Sequence, residues 1–155
     1  MSTQTEKRIF SDSLIIGASQ DRVWDILLGA ETFPKWMAAF DSEMRFIGEW
    51  SEGSEVKICN ANGEGMILQV EEHVSRAHIK LVYVAKFEKG KRVEFSGKDA
   101  EWKDAYESYN AFKLTNKKGG TLFHVESQCP QSWHEYYAKK YPLALEKIKQ
   151  LAEVA

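Results

Sequence analysis

A chain of 155 residues with a formal charge of −2 is the size of one domain and can bury about two-thirds of its unfolded surface without metal or disulfide staples. Charged residues of both signs make up 28% of it, which leaves no electrostatic case for nucleic acid or an anionic membrane; either would need a concentrated basic face. The N-terminal "MSTQTEKR" is polar, and no window approaches the ~18 apolar residues of a membrane span, so a cytoplasmic protein without membrane insertion is expected.

In "IFSDSLIIGA", Phe10, Leu14 and Ile16 share one parity, the alternation of a strand with one buried face. Ser19 is placed to cap a helix starting at Gln20. Asp21 stands in its first turn, Val23, Trp24, Ile26 and Leu27 form its apolar side, and Gly29 is a left-handed terminator. Thr32 can cap a second brief helix, with Pro34 near its start and Trp36, Met37 and Phe40 following. From residue 42 the texture turns to short alternating runs, "SEMRFIGEW", "SEVKICNA", "GMILQVEEHV" and "AHIKLVYVAKFE", broken at Glu52-Gly53, Asn62-Gly63 and Ser75-Arg76. Met66, Leu68, Val70 and Val74 are expected on one face, and Ile79, Leu81, Tyr83 and Phe87 on one face of the next run.

The segment around Trp102 reads as a long connection, and "YESYNAFKL" with "GTLFHVESQ" as a hairpin across "TNKKGG". The chain ends in a helical stripe, Trp133, Tyr137, Tyr141, Ala144, Ile148 and Leu151, opened by a capping box at Ser132 and Glu135. An antiparallel sheet must lay its apolar face on something, and this helix is the only long element available. The short helices then plug the open side, with Trp24 and Trp36 facing the enclosed space. Nothing marks a linker or repeat, so one domain is expected over 1–155, with an ordered core of about 9–153.

Chemistry is sparse. His73 and His78 oppose the apolar parity and should face solvent, as should His124 and Glu126. "HEYYAKKY" fails the H-E-x-x-H spacing, and Cys59 and Cys129 read as packed thiols, so no metal and no cofactor are expected. There is no nucleophile elbow, and "NGEGM" is a hairpin turn rather than a nucleotide loop. Asp12 shares the inward parity and is the one candidate proton carrier should the protein be an enzyme, although a frayed, wet strand end explains it as well. Asn110, Ser127 and the hydroxyls of Tyr83, Tyr137 and Tyr141 are inward polar candidates. A filled aromatic core and a ring-lined void have the same periodicity, so the pattern leaves both open.

"IIGASQDRVWDILLGAETFPKWM" resembles the opening of the START/SRPBCC (birch-pollen-allergen-like) superfamily, though Ser19 stands where a proline is frequent. "SYNAFKLTNKKGGTLFHVES" followed by "WHEYYAKKYPLALEKIKQLAE" is similar to the branch of the activator of Hsp-ninety ATPase homologues. The resemblance spans about Ile9 to Ala152. It implies an α+β helix-grip fold, a curved antiparallel sheet of about six to seven strands around the C-terminal helix, often with a cavity. No catalytic signature of the superfamily maps onto a position here. The expected function is binding of a small apolar or aromatic molecule among Trp36, Met66, Leu68, Tyr83, Asn110, Phe112, Phe123, Tyr137 and Tyr141. A cyclase- or dehydratase-like enzyme using the same cavity and a chaperone ATPase co-activator are the alternatives.

Overall fold

The computed structural model describes residues 7–41, 43–94 and 108–154. The elements run β1 (Lys7–Ile16), α1 (Gln20–Leu28), α2 (Phe33–Met37), β2 (Arg45–Gly48), β3 (Glu55–Cys59), β4 (Gly65–Val74), β5 (His78–Glu88), β6 (Lys91–Val93), β7 (Tyr109–Lys117), β8 (Gly120–Pro130) and α3 (Gln131–Glu153). The strands pair antiparallel in the order β1-β8-β7-β5-β4-β3-β2, with β6 hanging on β5. This is the α+β helix-grip architecture expected from the sequence, with one strand more; β6 opens the stretch read as a long connection, and Trp102 lies outside the described residues. No helix among the described residues is long and apolar enough to cross a membrane.

Ser19 does cap α1: its backbone is extended and its Oγ accepts from Arg22 N at 3.2 Å. The other end departs from expectation. Gly29 has φ −72°, an ordinary value, and glycine is required there for space: a Cβ would lie 2.5 Å from Asp25 O and 2.8 Å from Thr32 Oγ1. Thr32 does not cap α2 but turns back, donating to Ile26 O at 2.7 Å. Two indoles complete the work, Trp36 Nε1 donating to Leu27 O (3.1 Å) and Trp50 Nε1 to Leu28 O (3.2 Å). The carbonyls that a helix end leaves without intrahelical donors are thus taken by side chains from α2 and from beyond β2, which fixes the plug on the sheet.

Two β-bulges re-aim side chains that simple alternation misplaces. Between Val70 and Glu72, β4 carries an extra residue, so parity flips beyond it. His73 turns inward, its Nδ1 bonding Trp50 O and its ring 5.5 Å from that of Trp24, while Val74 is 58% exposed. Trp24 is therefore buried against His73. Between Tyr83 and Ala85 the extra residue is on β5, and Phe87 leaves the face of Tyr83 for a second small cluster with Cys59, Ile67 and Ala85. His78 stays on the outer face, 3.9 Å from Glu72.

The helix α3 runs through Pro142 without interruption and opens at Pro130 with no side-chain cap, so Ser132 and Glu135 form no capping box. Tyr141, Ala144, Leu145, Ile148 and Ala152 form its buried stripe. Its far end is tied down twice: Arg22 donates to Ala152 O (2.5 Å) and Val154 O (2.7 Å), and Gly17 N donates to Glu153 Oε2 (2.6 Å). These bonds place a cation at the carboxyl end of the helix, where its dipole favours one. Tyr136, by donating to Phe40 O at 2.8 Å, holds the near end over the chain that follows α2.

Candidate functional site

Between the sheet, α2 and the first half of α3 lies a cavity of about 260 Å³, just under the ~300–1,000 Å³ typical of small-molecule sites. The floor comes from the sheet: Ile58 of β3, Met66 and Leu68 of β4, Leu81 and Tyr83 of β5, Asn110 and Phe112 of β7. The helical side supplies Phe33, Trp36 and Met37, then Phe40, and Tyr136, Tyr137 and Tyr141 of α3. Neighbouring rings meet edge-on, as their quadrupoles favour: Phe33 with Trp36 (5.0 Å, 74°) and Phe40 with Tyr141 (4.9 Å, 79°). A more polar hollow of about 520 Å³ adjoins it, sharing Asp41, Met44, Met66 and Tyr137 and rimmed by Asn60, Glu64, Lys86 and Ser132.

Eight of the nine residues singled out in the sequence, Trp36, Met66, Leu68, Tyr83, Asn110, Phe112, Tyr137 and Tyr141, stand on this wall. Phe123 does not. It is wholly buried on the same face of the sheet, beside the wall, with its ring 6.0 Å from Phe112, and supports the wall without forming it. Its inward parity is right, but β8 lies next to the edge strand β1 and away from α2.

The polar tips of the wall form a chain of hydrogen bonds. Tyr141 O–H donates to Asn110 Oδ1 (2.8 Å), Asn110 Nδ2 donates to the Tyr83 oxygen (2.7 Å), and the Tyr83 and Tyr137 oxygens are 2.6 Å apart. Tyr83 and Tyr141 are only 5% and 4% exposed, so each of these buried oxygens has at least one bond where little water reaches. Burial is the first cause raising all three phenol pKa values, Tyr137 and Tyr141 well above the usual range; for Tyr83 the bonds to Tyr137 and Asn110 act the other way. Burial also pushes the Cys129 thiol up to about 11.

All four groups are neutral in the fold beyond the pH at which they ionise in the unfolded chain. Their contribution to stability is therefore complete below about pH 9, the unfolded thiol range, and is lost as pH rises through about 10, the unfolded phenol range, towards the folded values. Thermal unfolding followed from neutral to alkaline pH is expected to show a flat Tm and then a steep fall. The phenolate absorbance of Tyr83, Tyr137 and Tyr141 is expected only with unfolding; their ionisation in the intact fold near pH 10 would contradict the burial of the network.

The profile of the family described as Activator of Hsp90 ATPase homolog 1-like protein matches residues 17–153. The chain belongs to this family. No curated protein matches the sequence. Among solved structures, one from Mesorhizobium loti has a TM-score of 0.72 at 16% identity, covering 93% of this chain and 96% of its own. The solution structure of the Aha1 dimer from Colwellia psychrerythraea has a TM-score of 0.67 at 15% identity, covering 95% and 97%. A solution structure from Cytophaga hutchinsonii has 0.64 at 16%, covering 94% of each chain. At these identities the likeness shows the fold alone.

Within this member of the Hsp90 ATPase activator homolog 1-like family, the other sequence candidates fall away from the cavity. Asp12 is half-buried, its Oδ1 accepts from Ser13 N at 2.8 Å, and it is not part of the wall. Ser127 sits inward opposite Asn110 on β8, with its Oγ unbonded among the described residues. Among those residues no three His, Cys, Asp or Glu side chains are grouped to hold a metal. Sequence reasoning missed Phe33, Phe40, Trp50, Ile58 and Tyr136 as wall residues. A signal existed for Tyr136, adjacent to a stripe residue, and for Phe40, at the end of the α2 pattern. Trp50 had none, because its place is set by a bond to α1, 22 residues away in sequence.

Proposed function

We propose that this domain encloses a small, largely apolar or aromatic molecule between its sheet and α3. The observation that carries the reading is the cavity itself: rings from α2, β5, β7 and α3, with Phe40 and Trp50 from the connections, leave about 260 Å³ among them, and three of their hydroxyls join through Asn110 at one side of it. Burial of apolar ligand surface supplies the affinity, at about 25 cal/mol per Å², and the polar tips supply orientation. The fold supports the reading, since the helix-grip superfamily carries its ligands in the same space. The cyclase- or dehydratase-like alternative loses its candidate proton carrier, because Asp12 stands outside the wall.

Native mass spectrometry of protein purified from cell extract, followed by thermal-shift screening against lipid and aromatic panels, tests this. A bound species or a hit is expected, and a ligand at a hundred times its Kd adds about 2.7 kcal/mol, a Tm rise of about 5–10 °C for a chain of this size. Protein that is always empty and shifted by nothing would overturn it. The family's description favours a chaperone-directed role as the second reading. Stimulation of the chaperone's ATPase by the purified domain, unaltered when the cavity wall is filled by Leu68→Phe, would support that role instead.

A further inference from the structure

Resting on the cavity reading, the hydroxyl count of the network specifies the ligand further. Asn110 has its amide orientation set by Tyr141, which donates to Oδ1, so Nδ2 faces and donates to the Tyr83 oxygen. Between the Tyr83 and Tyr137 oxygens, 2.6 Å apart, only one hydroxyl proton can lie. If Tyr83 donates it, the Tyr137 proton remains; if Tyr137 donates it, the Tyr83 proton remains. Either way the pair holds one O–H that no described side chain accepts, and both phenols stand on the cavity wall. Burial keeps both protonated at neutral pH, so the donor is permanent there. Among the described residues the wall carries no Lys, Arg or His, and Asp41 is its one charged residue, so a carboxylate drawn into this space would leave water without finding a counter-ion among them.

We propose that the Tyr83–Tyr137 pair, held in place by Asn110 and Tyr141, presents a single O–H donor to a neutral oxygen on the bound molecule. The cavity thereby selects an apolar or aromatic compound carrying a carbonyl or similar acceptor over both its hydrocarbon and its carboxylate counterparts. Tyr83 and Tyr137 determine this specificity, and Asn110 and Tyr141 are positioning residues.

Titration calorimetry at neutral pH with three probes on one diphenyl frame, benzophenone, diphenylmethane and diphenylacetate, tests it on the wild type, Tyr83→Phe, Tyr137→Phe and the double variant. Benzophenone is expected to bind about 3- to 10-fold tighter than diphenylmethane, the range for one net hydrogen bond, and diphenylacetate weakest. Each single variant retains one hydroxyl proton and keeps part of the preference; the double variant binds the two neutral probes alike. The carbonyl stretch of bound benzophenone gives a readout that needs no variant: it is expected at lower frequency than in an apolar solvent. Equal affinities for benzophenone and diphenylmethane in the wild type, an unshifted carbonyl, or a preference surviving in the double variant would each overturn the proposal while leaving the cavity reading intact. Failure of every probe to bind would overturn both.

Discussion

Phe123→Ala is expected to lower the unfolding free energy by about 3–5 kcal/mol, the range for truncating a fully buried aromatic ring. Phe123 is 0% exposed at the middle of β8, opposite Leu14 of β1 and Leu114 of β7. Its cross-strand partners on both sides belong to paired strands, so the sheet can collapse little around the loss. Urea denaturation followed by circular dichroism gives the difference, with the slope against denaturant unchanged if the native topology persists. A loss below about 1 kcal/mol would mean that the ring is replaceable by its surroundings and that the sheet under the cavity is looser than described. Ligand affinity should fall in the same variant, because Phe112 loses its support.

The second large effect is expected at Asn110. Replacing it by Leu keeps the volume but leaves the Tyr141 hydroxyl without its acceptor and the Tyr83 oxygen without its amide donor. The orphaned Tyr141 hydroxyl costs about 1–3 kcal/mol, and the amide bond lost by a Tyr83 oxygen that keeps Tyr137 costs about 0.5–1.5 kcal/mol, so a loss of about 1.5–4.5 kcal/mol follows. For a chain of this length that is a Tm drop of about 3–18 °C. Tyr141→Phe removes the opposite end of one of these bonds. In a cycle of Asn110→Leu, Tyr141→Phe and the double variant, the losses should fall short of additivity by at least about 0.5 kcal/mol. Strict additivity would show that the two side chains do not act as a pair.

The parts of the fold legible from sequence are those decided by local chemistry. Alternation in "IFSDSLIIGA" gave the buried face of β1, Ser19 gave the start of α1, and the period of Trp133, Tyr137, Tyr141, Ala144 and Ile148 gave the face of α3. What eluded the pattern was decided by contacts distant in sequence. The bulges in β4 and β5 exchange inside for outside at Val74, His73 and Phe87, and nothing in "QVEEHV" or "LVYVAKF" announces them. Thr32 looks like a helix cap, but α1 ends within reach of its hydroxyl, and donating to the carbonyls there turns it away from the α2 amides it would accept from. Ser132 and Glu135 fit a capping box by spacing, yet β8 runs through Pro130 directly into α3 and leaves no free turn for one.

The candidate site divides the same way. Parity selected the sheet residues of the wall, Met66, Leu68, Tyr83, Asn110 and Phe112, because the face of a strand is local information. It could not separate Phe112 from Phe123, since both point inward and only the position of α2 and α3 over the sheet distinguishes wall from support. Nor could it show that three tyrosines and an asparagine join into one chain of bonds. That depends on β5, β7 and α3 meeting at one depth.

Xenon-pressurised crystals test most directly whether the space beneath α3 is open. A dry apolar cavity of this size takes up xenon, whereas a close-packed interior does not. Ordered xenon is expected among Trp36, Leu68, Phe112 and Tyr141; side chains filling that volume, with xenon only at the surface, would contradict the account.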